Sequence, residues 1–160
     1  MFSITLITVG KLKEKFYLSA AAEYEKRLKG YCQFQIIELP ECRLQDDPSQ
    51  AEISAGLEKE ADLILAKLPK GCWFCVLTPE GKLQSSEQLA AMLQDVKLAG
   101  KSSACFLIGS SFGIADRIKQ KADFKLSMSP MTFPHHLARI MVLEQIYRAE
   151  AIQAGSKYHK

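Results

Sequence analysis

Two short loops in the last third of the chain carry residue types suited to binding a small ligand. One, at residues 109–113, reads Gly-Ser-Ser-Phe-Gly and follows an apolar run. The other, at residues 128–133, reads Met-Ser-Pro-Met-Thr-Phe. Glycine lets a ligand approach the backbone, and small hydroxyls add donors and acceptors. Together with the methionines and phenylalanine, these groups suit a flat heterocycle with polar edges.

The elements that position these loops alternate between strand and helix. Apolar runs bounded by glycine or proline predict strands, and helical spacing predicts the segments between them. Because parallel strands need crossover helices, this alternation predicts one α/β domain over residues 1–160. The predicted strands are residues 2–9, 34–39, 72–78, 104–108 and 124–127, and the predicted helices are residues 11–29, 48–68, 85–98, 115–121 and 134–152.

The carboxyl ends of the strands are where such a sheet binds ligands. Three loops follow predicted strands there: residues 109–113, residues 128–133, and residues 79–82, whose Pro-Glu-Gly-Lys predicts a turn. Any one of them is also an ordinary turn by composition. Three at corresponding strand ends indicate a site.

Local signals place the helix ends. Asp47 before Pro48 is available as an N-cap, and Ser85 with Gln88 has the pattern of a capping box. The last helix is apolar on more than one face, so it needs a packing partner on each of two faces. We expect one face to pack on the sheet and the other on a second copy of the chain.

Composition excludes several classes of protein. The 160 residues are 48% hydrophobic and 24% charged, as in ordinary globular domains. No segment reaches the roughly 18 apolar residues of a membrane span. Residues 1–9 have no positive leader and indicate a strand rather than a signal peptide. We therefore expect a cytoplasmic protein without a membrane contact.

Charge is distributed unevenly along the chain. Residues 38–62 carry eight acidic side chains, and residues 117–160 carry eight basic ones. A basic segment fits a phosphate-rich partner, although a solvated surface has the same composition.

Metal and nucleotide-cofactor motifs are not present. The chain has no P-loop pattern and no three-glycine dinucleotide fingerprint. His135 and His136 are adjacent on a starting helix and diverge, so we expect no metal site. Cys72 and Cys75 lie three apart on a strand and should face opposite sides of the sheet. The five scattered cysteines indicate reduced thiols rather than disulfides.

Two alternatives remain open from the residues alone. The loop at residues 109–113 matches Gly-x-Ser-x-Gly, the nucleophile elbow of α/β hydrolases, with Ser111 as the nucleophile. Asp116 or Asp123 and then His135 or His159 follow in the order of a triad. The other alternative is a non-catalytic RNA-binding module, which would bind RNA through its basic patch without a cofactor.

The chain as a whole resembles a family of small RNA methyltransferases. The resemblance is carried by residues 4–13 (Ile-Thr-Leu-Ile-Thr-Val-Gly-Lys-Leu-Lys), the Leu-Ile-Gly of residues 107–109, the Leu-Ser-Met-Ser-Pro-Met-Thr-Phe-Pro-His of residues 126–135, residues 144–149 and the closing Tyr158-His159-Lys160. These segments are similar to those of the SPOUT-class ribosomal RNA large subunit methyltransferase H family.

This resemblance implies a parallel-sheet SPOUT fold with a C-terminal trefoil knot, in which residues 72–155 bind S-adenosylmethionine. It also implies a homodimer that methylates N3 of a pseudouridine in 23S ribosomal RNA. We expect both subunits to contribute to one site and the assembled ribosome to be the substrate. The resemblance implies cofactor contacts at Leu77, Gly109, Met128, Ser129, Pro130, Met131, Thr132 and Phe133.

The reaction also needs groups that handle the N3 proton and hold the RNA. His159, Tyr158 and His135 are the candidates for the base or for donors to the developing anion. Arg139 and Arg148 are candidates for holding phosphate or an RNA carbonyl. The chain departs from the family pattern at Ser110 and Phe112, where the family has glycine and an acidic residue.

Overall fold

A computed structural model describes all 160 residues as five parallel strands and five helices. The strand order is β2-β1-β4-β3-β5, and every strand pair is parallel. This architecture confirms the predicted α/β class. The elements are β1 Ser3–Val9, α1 Lys15–Leu28, β2 Gln33–Leu39, α2 Gln50–Lys67, β3 Trp73–Leu83, α3 Ser86–Leu98, β4 Ser103–Ile108, α4 Asp116–Lys121, β5 Phe124–Ser127 and α5 His135–Gln153.

Helices cover both faces of the sheet. One buried cluster joins alternate strand residues, such as Phe106, to α1, α3 and α5. The other joins the intervening residues, such as Leu107, to α2 and α4. Cys75 lies in the first cluster and Cys72 in the second, which confirms that they face opposite sides. All five cysteines are free thiols. None of the helices is both long and apolar enough to cross a membrane.

Two helix starts differ from the sequence expectations. α1 begins at Lys15 rather than at residue 11, because Leu12 is buried and its backbone N–H donates to Glu38. α2 is capped by Ser49, not by Asp47: Ser49 and Glu52 form a reciprocal capping box. That arrangement satisfies two backbone N–H groups, which an aspartate two residues earlier cannot do. The capping box predicted at Ser85 and Gln88 is confirmed.

The predicted turn at residues 79–82 is wrong, because β3 continues to Leu83. Its pairing with β5 shifts register between Leu77 and Lys82, so the extra residues form a bulge in a continued strand. Gly81 permits this close approach, since a Cβ there would stand 2.7 Å from backbone atoms of Lys125 and Leu126. Proline and glycine in this segment therefore mark a bulge and not a chain reversal.

α5 packs on the sheet and between α1 and α3 of the same chain. Part of the apolar surface that we expected a second copy to cover is thus covered within the chain. One stripe remains outward, carrying Leu137, Met141, Glu144 and Arg148 at helical spacing. Leu137 is exposed and the other three are half-buried. The second copy on this stripe, and the trefoil knot, stay predictions.

Candidate active site

The bulge of β3 and two loops lie side by side at the carboxyl edge of the sheet. Leu77 of β3 pairs with Ile108 of β4 on one side and with Leu126 of β5 on the other. The segments that follow these residues therefore start at the same level on three adjacent strands. Leu77 and Gly109 thus lie next to the start of the loop at residues 128–133, as the sequence predicted from separate motifs.

The loop at residues 128–133 has an open backbone. No backbone-to-backbone hydrogen bond involves these six residues. Its shape is held by side chains instead: Ser127 Oγ donates to the Ser129 carbonyl, and the Met131 N–H donates to Ser129 Oγ. Met128 and Phe133 are half-buried, whereas Met131 is 76% exposed. Free backbone donors and acceptors beside apolar side chains fit the polar edge and flat faces of an adenine ring.

Gly109 is required by the loop that it opens. A Cβ at Gly109 would stand 2.5 Å from the Gly113 carbonyl oxygen and 2.5 Å from Ile114 Cγ1. The Gly113 N–H donates to the Ser110 carbonyl, and Gly113 itself has φ +100°. The loop therefore folds back tightly over Gly109, and its first glycine serves this packing directly.

A buried carboxylate joins this loop to the loop after β2. Glu60 of α2 is 5% exposed. It accepts a 2.8 Å hydrogen bond from Ser110 Oγ and another of 2.8 Å from the Cys42 N–H. Burial raises the pKa of Glu60, while the hydrogen bonds from Cys42 and Ser110 oppose that rise. Ser110, a departure from the family pattern, is thus explained by its bond to Glu60.

We expect Glu60→Gln to change the pH dependence of stability. When folding raises the pKa of a carboxyl, the folded state is fully favoured below the unfolded pKa, near 4.3. That contribution to stability is lost as pH rises through the pKa of the folded state. Glutamine has the same shape and no charge. The difference in unfolding free energy, variant minus wild type, should therefore increase between pH 4 and pH 8, by about 1.4 kcal/mol per unit of raised pKa.

Urea unfolding at four pH values measures that difference, in which the titration of all other groups cancels. Glu60→Ala is the control that removes both hydrogen bonds. It should cost about 1–3 kcal/mol at pH 4, and its difference from wild type should change with pH in parallel with that of Glu60→Gln, because both variants lack the carboxyl. A variant difference that stays constant from pH 4 to pH 8 would show that Glu60 does not titrate as described.

Arg139 lies inside the structure rather than on a free surface. It is 4% exposed, and its guanidinium donates to Glu38 at 2.6 Å and to the Gly10 carbonyl at 3.0 Å. These bonds tie the first turns of α5 to the ends of β1 and β2. Arg139 therefore positions α5 at the carboxyl edge of the sheet, with its remaining N–H groups left for other contacts.

A cleft of about 840 Å³ lies over the ends of β1, β2 and β4. It shares Gly109 with the predicted cofactor residues and His135 and Arg139 with the predicted catalytic residues. Leu77 and residues 128–133 do not line it. This cleft and the predicted cofactor loops are thus neighbours that meet at the β4 loop, not one pocket.

The last residues of the chain are docked on α3 and α5. His159 Nε2 lies 2.7 Å from Glu87 Oε1, and its Nδ1 lies 3.1 Å from Arg148 Nη1. Tyr158 donates its hydroxyl to Glu144, which also accepts from Arg148. At the centre of this Glu144 cluster, Glu144 and Arg148 form an ion pair one helical turn apart on α5. Nothing in the sequence pattern indicated a contact between Glu87 and the tail; the residue stood out only as part of the capping segment of α3.

The partners of the His159 ring assign a donor or acceptor role to each of its nitrogens. Arginine can only donate and a carboxylate can only accept, so Nδ1 is the acceptor and Nε2 carries the proton. The lone pair of the ring is therefore engaged by Arg148. Burial, reinforced by Glu144, raises the pKa of Tyr158, so its hydroxyl is a donor at neutral pH.

The four predicted catalytic residues fall into two groups within one chain. His135 and Arg139 lie at the first turns of α5, whereas His159 contacts Arg148 thirteen residues further along. At 1.5 Å per residue the two groups are roughly 20 Å apart. One chain alone does not bring them together.

The hydrolase arrangement does not form. Ser111 donates to Glu41 rather than to a histidine. Asp123 accepts from the Phe74 N–H at the start of β3, far from the carboxyl edge where Ser111 lies. No group of three or more histidine, cysteine, aspartate or glutamate side chains is placed to hold a metal ion.

Comparison with known proteins agrees with this fold. Residues 2–159 match the family described as "Predicted SPOUT methyltransferase". A ribosomal RNA large subunit methyltransferase H from Clostridium novyi is 44% identical over 158 residues, 99% of each chain. A putative ribosomal RNA large subunit methyltransferase H from Methanococcus maripaludis is 46% identical over the same share of each chain.

A solved structure shares the fold at low identity. The probable methylase family protein from Haemophilus influenzae has a TM-score of 0.52 and 14% identity, over 99% of this chain and 70% of that one. The full-length matches and the parallel sheet agree: this chain belongs to the SPOUT methyltransferases, in the ribosomal RNA large subunit methyltransferase H family.

Proposed function

We propose that this protein methylates N3 of a pseudouridine in large-subunit ribosomal RNA, with S-adenosylmethionine as the methyl donor. The observation that carries the proposal is the register of Leu77 with Ile108 and Leu126, which sets the bulge of β3 beside the loops at residues 109–113 and 128–133. The names of the relatives from Clostridium novyi and Methanococcus maripaludis support the RNA substrate.

The cofactor would be held by Leu77, Gly109 and residues 128–133, within the segment 72–155 that we propose to be knotted. The open backbone of residues 128–133 would bond the adenine edge, and half-buried Met128 and Phe133 would contact its faces. When bound, S-adenosylmethionine supplies an electrophilic methyl group. The task of the chain is then to place the nucleotide in line with that group.

The N3 proton of the nucleotide must leave during the reaction. In the arrangement described, Tyr158 and Arg148 are donors, and the lone pair of His159 is engaged. This cluster therefore suits donation of hydrogen bonds to the developing anion. His159 would act as a base only after parting from Arg148, and His135, exposed in the large cleft, is the alternative base.

A homodimer would complete the site. The outward stripe of α5 runs from Leu137 near the cofactor loops to Arg148 near the docked tail. If two copies pack this stripe about a two-fold axis in antiparallel fashion, the Tyr158–His159 end of one chain lies at the His135 end of the other. This closes the gap of roughly 20 Å along α5. Each site would combine cofactor loops from one chain with the tail of its partner, and the assembled ribosome would be its substrate.

Calorimetric titration with S-adenosylmethionine tests the cofactor site. Wild type should bind one cofactor per chain. Thr132 is exposed, so Thr132→Trp should leave thermal unfolding unchanged while blocking the loop and weakening binding about ten-fold or more, which is 1.4 kcal/mol.

Ser102→Trp is the matched control, an exposed residue before β4 at the opposite edge of the sheet. It should bind the cofactor as wild type does. Failure of wild type to bind at millimolar cofactor would favour the non-catalytic RNA-binding module. Equal binding by Thr132→Trp would remove residues 128–133 from the site.

A further inference from the structure

The cleft over the ends of β1, β2 and β4 shares only Gly109 with the residues proposed to hold the cofactor. Its volume of about 840 Å³ would accommodate a group as large as a nucleotide. Its walls are formed by the β1–α1 loop, the β2–α2 loop, the β4 loop and the start of α5.

Three cations in the cleft have no acidic partner. Lys11, Lys13 and Arg43 are exposed and line it, and none of them forms an ion pair. The fourth such side chain, Arg139, is neutralised by Glu38. The one unpaired carboxylate of the lining is Glu41, which accepts from Ser111 Oγ. Lys11, Lys13 and Arg43 outnumber it and give the cleft a positive character that suits phosphate.

An exposed aromatic ring faces the same cleft. Phe112, at the tip of the β4 loop, lines it and is 44% exposed. Its loop is fixed by the Gly113–Ser110 backbone bond and by the Ser111–Glu41 and Ser110–Glu60 bonds. An aromatic ring held on a rigid loop loses little entropy when it stacks on a flat partner.

We propose that this cleft binds an unpaired RNA nucleotide next to the methylated one, with Phe112 stacked on its base and Lys11, Lys13 and Arg43 on its phosphates. This rests on the proposed function, because Gly109 joins the cleft to the methyl-donor site. Stacking plus backbone cations is how proteins hold single-stranded RNA. Among protein partners, only an acidic one would match three unpaired cations and an aromatic ring that line one cleft.

Fluorescence anisotropy with a labelled single-stranded RNA decamer tests the proposal at several salt concentrations. Phe112→Ala should weaken binding roughly ten-fold. The double variant Lys13→Ala with Arg43→Ala should have a weaker salt dependence. The negative slope of log K for RNA association against log salt should become smaller in magnitude by about 1.4, the value for two single-strand phosphate contacts. Both variants should raise KM for large ribosomal subunits.

Matched controls lie at the opposite edge of the sheet. Leu98 is 77% exposed on α3, and Lys70 and Lys121 line a second cleft there of about 520 Å³. Leu98→Ala and the pair Lys70→Ala with Lys121→Ala should bind RNA as wild type does. Equal losses in the cleft and control variants, or no binding of the decamer by wild type, would overturn the proposal.

Titration with S-adenosylmethionine separates this proposal from the proposed function. Phe112→Ala should keep wild-type cofactor affinity, because residues 128–133 do not line the cleft. If wild type binds cofactor and methylates subunits while Phe112→Ala has an unchanged KM, the cleft assignment alone is wrong. If wild type binds RNA through Phe112 but binds no cofactor, the cleft assignment stands and the methyl-transfer function is wrong.

Discussion

Replacing His159 with alanine should slow methyl transfer about 100-fold or more while leaving cofactor affinity unchanged. A positioned proton-transfer or hydrogen-bonding group contributes on the order of 100-fold to 10,000-fold. His159 holds Arg148 and Glu87 in place, so its loss also frees the donors that would face the nucleotide. The measurement is single-turnover transfer of a labelled methyl group to large ribosomal subunits, with calorimetry as the check on cofactor binding.

Mixing two inactive chains tests whether the site is shared between subunits. One chain carries Thr132→Trp and lacks cofactor; the other carries His159→Ala and lacks the tail group. In an equal mixture half of the dimers are mixed, and each mixed dimer has one complete site if the tail acts on its partner. One complete site in each of half the dimers is a quarter of all sites, so activity should return to about a quarter of wild type. No recovery would place both halves of the site in one chain.

Replacing Gly109 with alanine should have the second large effect, on folding and cofactor binding together. The added Cβ would stand 2.5 Å from the Gly113 oxygen and from Ile114 Cγ1. The loop at residues 109–113 must therefore shift. We expect a loss of about 1–3 kcal/mol in unfolding free energy and a weakened affinity for S-adenosylmethionine, measured by urea unfolding and calorimetry.

Gly56 supplies the control for that substitution. It lies within α2, where an added Cβ would meet only side-chain atoms of Leu44 and Cys42 at 3.4 Å or more. Gly56→Ala should keep cofactor affinity and add about 0.5–1 kcal/mol of stability, the helix preference for alanine. If Gly109→Ala unfolds and binds as wild type does, the fold-back of the loop over Gly109 is wrong.

The fold was predictable because its signals are local and repeated. Apolar runs bounded by glycine and proline marked each strand, and alternation with helices required parallel pairing. Errors arose where a tertiary contact outweighed a local signal. Leu12 is held in a loop by Glu38, and the Pro-Glu-Gly-Lys segment is drawn into β3 by pairing with β5. Neither contact is visible in a window of neighbouring residues.

The site was predictable in its loops and not in its side-chain network. Gly109 and residues 128–133 stood out by residue type alone. The partnership of Glu60 with Ser110 joins residues fifty positions apart, and no pattern in either segment specifies it. The basic last third of the chain also proved partly neutralised, since Arg117 pairs with Glu58 and Asp62. Its free cations cannot be counted from composition.

Arg139 shows how burial changes the meaning of a charged residue. Its sequence position at the start of a helix beside two histidines favoured a role in holding RNA. In the structure its guanidinium donates to Glu38 near the end of β2 and to the Gly10 carbonyl just after β1. A buried arginine with two such partners acts first on the position of α5, and any contact with RNA uses its remaining donors.

The most direct test of the central claim is transfer of a tritiated methyl group from S-adenosylmethionine to purified large ribosomal subunits that lack the modification. Digestion of the RNA to nucleosides then identifies the product. The account predicts label in a single nucleoside, N3-methylpseudouridine, at wild-type level with Ser102→Trp and strongly reduced with Thr132→Trp. Label in another nucleoside would contradict the proposed reaction, and no label in RNA with active subunits and bound cofactor would contradict the account as a whole.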